Sequence, residues 1–156
     1  MSEVLSSMAV ESNLTRLLEE KGKEVVSVAP ETTVREAARK MRDSKIGALL
    51  VMRDERLVGI LTERDVLNKV VADYRDPDEV QVREIMTRDV VVIKPGRSVR
   101  DAMRIVTQKH LRHLPVVDHD QLIGMVSGGD LTRSIVAEEE GVIESLYEYI
   151  RGAYPA

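Results

Sequence analysis

The feature of this sequence that most constrains its fold is an internal repeat with one constant offset of 65 residues, the distance from Pro30 to Pro95. No gap is needed to keep this register across the whole unit. The matched pairs include Val34 with Val99, Ala37 with Ala102, Leu57 with Leu122, Gly59 with Gly124, and Asp65 with Asp130. Self-similarity at a fixed period marks a duplicated structural unit. The chain is therefore expected to contain two copies of one small fold.

Each copy predicts the element order β-α-β-β-α. A short β-rich run and a proline turn precede a helix whose apolar residues recur at i, i+3, i+4 and i+7. Thr33 with Glu36, and Ser98 with Asp101, have the spacing of a helix capping box. Polar turns at 53–56 and 118–121 predict hairpins. The predicted segments are strands 25–28 and 90–93, strand pairs 48–52 with 57–61 and 114–117 with 122–126, and second helices 63–72 and 128–137.

The repeats set the expected domain boundaries. An N-terminal helical segment (1–20) precedes repeat 1 (21–74), a linker (75–81), repeat 2 (82–137) and a C-terminal helix (138–156). The flanking helices lie outside the repeat as the sequence alone defines it. A half of about 60 residues is marginal as an independent domain, so the two halves are expected to pair.

Composition restricts the function classes. The chain of 156 residues has no Cys, a hydrophobic fraction of 43% and a net charge of −4. Disulfide and thiolate chemistry are excluded. No apolar run approaches the roughly 20 residues of a membrane span. The acidic balance and the four Tyr as sole aromatics disfavour nucleic-acid binding. We therefore expect a cytoplasmic protein with neither a membrane nor a nucleic-acid partner.

The chemically informative motif runs from Gly59 to Asp65 and is echoed from Gly124 to Asp130. A glycine late in a strand is followed by a hydroxyl residue at the strand-to-helix junction and by an aspartate three residues later. The hydroxyl and the carboxylate suit a simple N-cap. The same geometry also forms an anion site at a helix N-terminus. Both interpretations remain open from the residues alone.

With this motif, the strings IGALLV (46–51) and RHLPVV (112–117) resemble cystathionine-β-synthase-type (CBS) domains, and the pair resembles a Bateman module. The resemblance implies an α/β (α+β) fold. In it, two β-α-β-β-α repeats pack through their sheets about a pseudo-twofold axis, with extra N- and C-terminal helices. It also implies clefts that bind adenosine-containing ligands: AMP, ADP, ATP, S-adenosylmethionine or an NAD-type dinucleotide. No cofactor is required, and the motif aspartate would hold the ribose.

The resemblance further implies two unequal clefts, each built from both repeats. The first would contain Ile60, Thr62, Asp65, Met86, Thr87 and Val91. The second would contain Met125, Ser127, Asp130, Arg112, His113, Lys21, Lys23 and Val26. The second is expected to accept more phosphate charge, whereas Glu63 would repel phosphate at the first.

The function expected is that of a regulatory module that transmits nucleotide occupancy to an enzyme or transporter partner. The alternative is a dimerisation or partner-docking scaffold with no physiological nucleotide. The sequence contains neither a nucleophile elbow nor a glycine-rich phosphate loop, so no motif in it indicates an enzyme. The three histidines, His110, His113 and His119, are not expected to converge on a metal. The stripe Ile143, Leu146 and Ile150 is either intramolecular core or a dimer surface, and the resemblance to CBS pairs implies a homodimer.

Overall fold

The computed structural model describes residues 12–153. Within them the chain forms two compact units. The first unit comprises residues 23–92 and 117–124, and the second comprises residues 12–22, 93–116 and 125–153. The elements in chain order are α1 (Leu14–Lys21), β1 (Ser27–Val28), α2 (Val34–Ser44), β2 (Ala48–Arg53), β3 (Arg56–Thr62), α3 (Glu63–Val66), α4 (Val82–Ile85), α5 (Val99–Gln108), β4 (His113–Asp118), β5 (Gln121–Ser127) and α6 (Gly128–Ala153).

A three-stranded sheet organises the first unit, in the order β1-β2-β3. Strand β1 is parallel to β2 and is joined to it through α2, whereas β2 and β3 form an antiparallel hairpin. Asp54 and Glu55 at the hairpin turn both have positive φ, 49° and 67°. Two consecutive left-handed residues give the turn the twist that a two-residue hairpin requires.

Helix α2 begins where the capping-box spacing in its sequence indicates. The Thr33 side chain accepts a hydrogen bond from the Glu36 backbone N–H, which satisfies one free donor of the first turn. Val34, Ala37 and Met41 form its buried stripe. Lys45 ends the helix in the left-handed conformation, with φ 55°. After Lys45 the chain enters β2, and the apolar face of the helix packs against the sheet.

The core of the first unit includes residues from the start of repeat 2. Its strand and helix residues pack together with Val82, Ile85 and Met86, which lie in or directly after α4. The other buried members are Val28, Val34, Ala37, Met41, Leu49, Val51, Leu61, Val70 and Val80. The segment that leads into repeat 2 is therefore a structural part of the first unit.

The second unit shows the corresponding arrangement around the β4–β5 hairpin. The turn end of this hairpin, residues 117–124, belongs to the first unit. Leu14, Leu17 and Leu18 of α1 are buried. The backbone N–H of Leu14 donates to Arg97 O at 3.1 Å. The N–H of Val99 donates to Ser12 O at 2.9 Å. The segment that leads into repeat 1 is thus anchored to the start of α5.

Several predicted boundaries were wrong. The predicted strand 90–93 forms only a single bridge between Ile93 and Val116, because its other residues have no ladder partner. The predicted helix 63–72 is the short α3 followed by a π-helical turn, Leu67–Val71. No break separates 128–137 from a helix at 138, because α6 is continuous over 26 residues.

The N-terminal helical segment predicted for residues 1–20 begins at Leu14 within the described chain, and its residues 1–11 lie outside the described residues. Residues 154–156 of the predicted C-terminal segment also lie outside them. Between residues 12 and 153, no helix combines the length and apolar character needed to cross a bilayer.

If α1 is part of the second unit, Leu18→Ala should lower the free energy of unfolding by about 2–5 kcal/mol, because the Leu18 side chain is fully buried. Glu19→Ala is the matched control, since Glu19 is exposed on the same helix. Urea unfolding of both variants measures the difference. Equal stability of the two variants would show that α1 is not held in place.

Candidate functional site

The carboxylate of Asp65 is fixed at the junction between β3 and α3. The Asp65 backbone N–H donates to Thr62 Oγ1 at 3.2 Å, and the Thr62 backbone N–H donates to Asp65 Oδ2 at 2.9 Å. Lys69 Nζ lies 3.1 Å from Asp65 Oδ1, and the Asp65 side chain is only 13% exposed. The motif is therefore a complete capping box whose carboxylate has one cationic neighbour.

The segment leading into repeat 2 runs beside this carboxylate. Thr87 and Ile60 exchange two backbone hydrogen bonds of 3.0 Å. A Cβ on Gly59 would lie 2.5 Å from Met86 Sδ and 3.0 Å from Thr87 O, so any larger residue there would displace the Met86 side chain and crowd the Thr87 carbonyl. The structure thereby brings Met86 and Thr87 to the strand that ends at Thr62.

The carboxylate of Asp130 is held in the same way at the start of α6. The Ser127 backbone N–H donates to Asp130 Oδ2 at 2.8 Å, and the Asp130 N–H donates to Ser127 Oγ at 3.1 Å. Lys21 Nζ donates to the same Oδ2 at 2.5 Å and to Met125 O at 2.7 Å. Arg133 donates to Oδ1 at 2.8 Å. Lys21, Met125, Ser127 and Asp130 are thus adjacent within the second unit.

The charge state of Asp130 follows from these partners. Partial burial raises the pKa of the Asp130 carboxyl, but the Lys21 ammonium and the Ser127 backbone N–H lower it by more. The pKa in the folded protein therefore lies below its ordinary value of 3.8. Asp130 is an ionised acceptor at neutral pH, in contact with two cations.

The remaining predicted site residues are distributed between the two units. Arg112 O accepts the Gly128 N–H at 3.0 Å, and His113 begins β4, so both belong to the second unit. Lys23, Val26 and Val91 belong to the first unit, and Val26 O accepts the Leu50 N–H at 3.2 Å. The grouping of Lys23 and Val26 with Asp130 therefore stays a prediction.

A cleft of about 500 Å³ lies beside α3 in the first unit. The Glu63 carboxylate reaches to within 3.2 Å of the position a Gly47 Cβ would occupy, which places its negative charge in the cleft wall. The lining residues are Ala38, Met41, Arg42, Lys45, Ile46, Gly47, Glu63 and Val66.

The three histidines lie in three different kinds of local structure. His110 follows α5 with φ 53°, His113 begins β4, and His119 lies in a turn with φ 50°. Over residues 12–153, no cluster of three or more His, Asp or Glu side chains could hold a metal ion.

Sequence reasoning missed Lys69 and Arg133, the cations one turn after each motif aspartate. They stand at i+4 from Asp65 and at i+3 from Asp130. Acid–base pairs at these spacings are neighbours on a helix surface. That spacing was the signal available in the sequence.

Because the folded-state pKa of Asp130 is depressed, its contribution to stability is present above pH 3.8 and is lost as the pH falls through the folded value. At about pH 6, Asp130→Asn should be less stable than the parent by about 1–3 kcal/mol, because it loses charge-assisted hydrogen bonds. The difference should shrink below about pH 4. Urea unfolding across this range measures it, and a pH-independent difference would contradict the assignment.

The family model for the CBS domain matches this chain twice, over residues 21–72 and 82–137. These matches contain both capping aspartates and the strands before them.

Similar proteins are named for the same domain. The mitochondrial CBS domain-containing protein CBSX3 of Arabidopsis thaliana is 36% identical over 78% of this chain, which spans 62% of that protein. The CBS domain-containing protein YhcV of Bacillus subtilis is 35% identical over 74% of this chain and 82% of its own length. The solved CBS domain structure NE2398 is 42% identical with a TM-score of 0.77, covering 81% of this chain and 99% of that one. The duplicated β-α-β-β-α unit and these matches together show that the chain belongs to the CBS-domain family.

Proposed function

We propose that this protein is a regulatory module that binds adenosine-containing nucleotides at its two motif aspartates. The observation that carries the proposal is the duplicated arrangement of a capped carboxylate beside a lead-in segment, which is residues 14–21 at Asp130 and residues 82–88 at Asp65. Asp65 has Met86 and Thr87 alongside its strand, and Asp130 has Lys21. AMP, ADP, ATP and NAD-type dinucleotides share the adenosine group that such a site would recognise.

The capped carboxylate suits a ribose diol. An ionised carboxylate is an acceptor with two oxygens and about four lone-pair sites. At each aspartate the N-cap N–H uses only part of the capacity of Oδ2. The hydroxyls of a ribose would donate to the carboxylate in place of some of its present donors, which are Thr62 Oγ1 and Lys69 at Asp65 and Lys21 and Arg133 at Asp130. The partly buried Ile60 supplies aliphatic surface for an adenine, which suits a chain that has no Phe or Trp.

The phosphate preference of the two sites differs through local charge. Asp130 is accompanied by Lys21 and Arg133, whereas Asp65 has Lys69 alone. The N-terminus of the 26-residue α6 adds a positive dipole end at Asp130. These features support greater phosphate binding at Asp130, with Arg112 and His113 as further candidates within the same unit. Glu63 opposes phosphate at the first site.

Occupancy would control a partner through a conformational equilibrium. A ligand shifts such an equilibrium only by its differential affinity for the two states. Both aspartates hold cations on neighbouring elements, so ligand binding exchanges protein contacts for ligand contacts. A regulated enzyme or transporter would respond to that exchange.

A second candidate function is a homodimer or docking scaffold, and α6 supplies the observation that favours it. Ile143, Tyr147 and Ile150 are 55%, 60% and 55% exposed on this helix. Exposed apolar stripes of this kind mark interaction surfaces. We propose a second copy of the chain as the occupant, which is compatible with nucleotide binding.

Asp130→Asn should weaken AMP or ATP binding at the second site by about 5- to 150-fold, the effect of about 1–3 kcal/mol for a lost charged acceptor. Asp65→Asn should weaken the first site similarly. Isothermal titration calorimetry on folded protein measures both.

The matched control for these two variants is Asp101→Asn. Asp101 also follows an N-cap serine by three residues, but it lies at the start of α5 and outside the motif. Control and site variants with equal affinity would reject the ribose role. Absence of binding by every adenosine ligand at sub-millimolar concentration would leave the scaffold function.

Ile143→Glu should shift the chain towards monomer, because it places a charge in the exposed stripe. Analytical ultracentrifugation at several concentrations measures the shift, with Glu148→Gln on the same helix as control. A parent that is monomeric at all concentrations would contradict the homodimer.

A further inference from the structure

The repeat offset extends into the lead-in segments and makes Lys21 the counterpart of Met86. The two residues also hold corresponding places in the structure. Lys21 Nζ donates to Met125 O on β5, and the Met86 side chain lies against Gly59 on β3. Each therefore lies beside the strand that ends at a motif aspartate. One position carries an ammonium group and the other a neutral thioether.

We propose that Lys21 makes the Asp130 site selective for phosphorylated adenosine ligands, whereas Met86 leaves the Asp65 site with little such selectivity. The inference rests on the proposed nucleotide function. It concerns which adenosine compounds each site accepts.

The selectivity follows from what a ribose must displace. Lys21 Nζ occupies Asp130 Oδ2 at 2.5 Å, and the Asp130 side chain is 10% exposed. A ribose hydroxyl that takes this oxygen separates a charge-assisted pair, which is about twice as strong as a neutral hydrogen bond. The uncharged nucleoside adenosine offers the released ammonium no anion in return. A phosphate does, so AMP restores the lost interaction.

No cation from a lead-in segment contacts Asp65 among the residues that the structure describes. Its cation is Lys69, which belongs to the helical segment following the motif. Arg133 is the corresponding local cation at Asp130. The local cations are therefore matched between the sites, and the additional cation in contact with Asp130 is Lys21, where the first site has Met86 at the equivalent position.

The test titrates adenosine and AMP separately into protein with one intact site. In an Asp65→Asn background, which isolates the Asp130 site, Lys21→Met should raise adenosine affinity and lower AMP affinity. The AMP-over-adenosine preference should fall by about tenfold or more, as expected for one charge-assisted hydrogen bond. In an Asp130→Asn background, Met86→Lys should raise that preference at the Asp65 site.

Lys109→Met is the matched control, because Lys109 also stands at the end of a helix in the second unit and is exposed. It should leave the preference unchanged. If both compounds bind and the Lys21→Met variant prefers AMP over adenosine as strongly as the parent does, the inference is overturned. The proposed function would remain intact. Failure of both compounds to bind any folded variant would instead reject the proposed function and the inference with it.

Discussion

The structure depends on a carboxylate fixed by the backbone at the point where a strand becomes a helix. The N–H of Thr62 or Ser127 donates to the aspartate three residues later, and the hydroxyl of the same residue accepts from that aspartate. These reciprocal bonds satisfy donors that a helix start would leave free. They also fix the carboxylate in position. Its oxygens can then accept further hydrogen bonds from groups beside the strand. Under the proposed function, the atoms that cap the helix would also be the atoms that bind the ligand.

The residues beside each strand come from the start of the other repeat or from the chain just before it. Residues 82–88 belong to the unit of repeat 1, and α1 belongs to the unit that contains α5 and α6. Each unit consequently has a core that its own repeat does not complete. Val82, Ile85 and Met86 are buried in the first unit, and Leu14, Leu17 and Leu18 are buried in the second. Packing of the lead-in segments thus positions Met86 and Lys21 at the sites.

What the sequence could predict was local or periodic. The repeat register, both hairpins, the caps at Thr33 and Ser98, and the α+β CBS fold class are confirmed. Residues 90–93 have strand propensity, but most of them found no ladder partner, and pairing is a tertiary property. The π-helical turn at 67–71 and the continuity of α6 also depend on context. Ala137 and Glu138 both favour helix, so neither residue signals the end of a helix. The sequence at this point therefore did not show whether one helix or two would form.

The two duplicated sites share the same backbone arrangement but differ in local charge. Asp65 forms an ion pair with Lys69, and the charges of the two side chains cancel. Asp130 with Lys21 and Arg133 carries one net positive charge. Since the folded pKa of Asp130 is depressed, this balance holds throughout the neutral range. An anion beside Asp130 would therefore gain Coulomb energy that one beside Asp65 would not. Under the proposed function, the two sites would rank the same nucleotides differently without any change in fold.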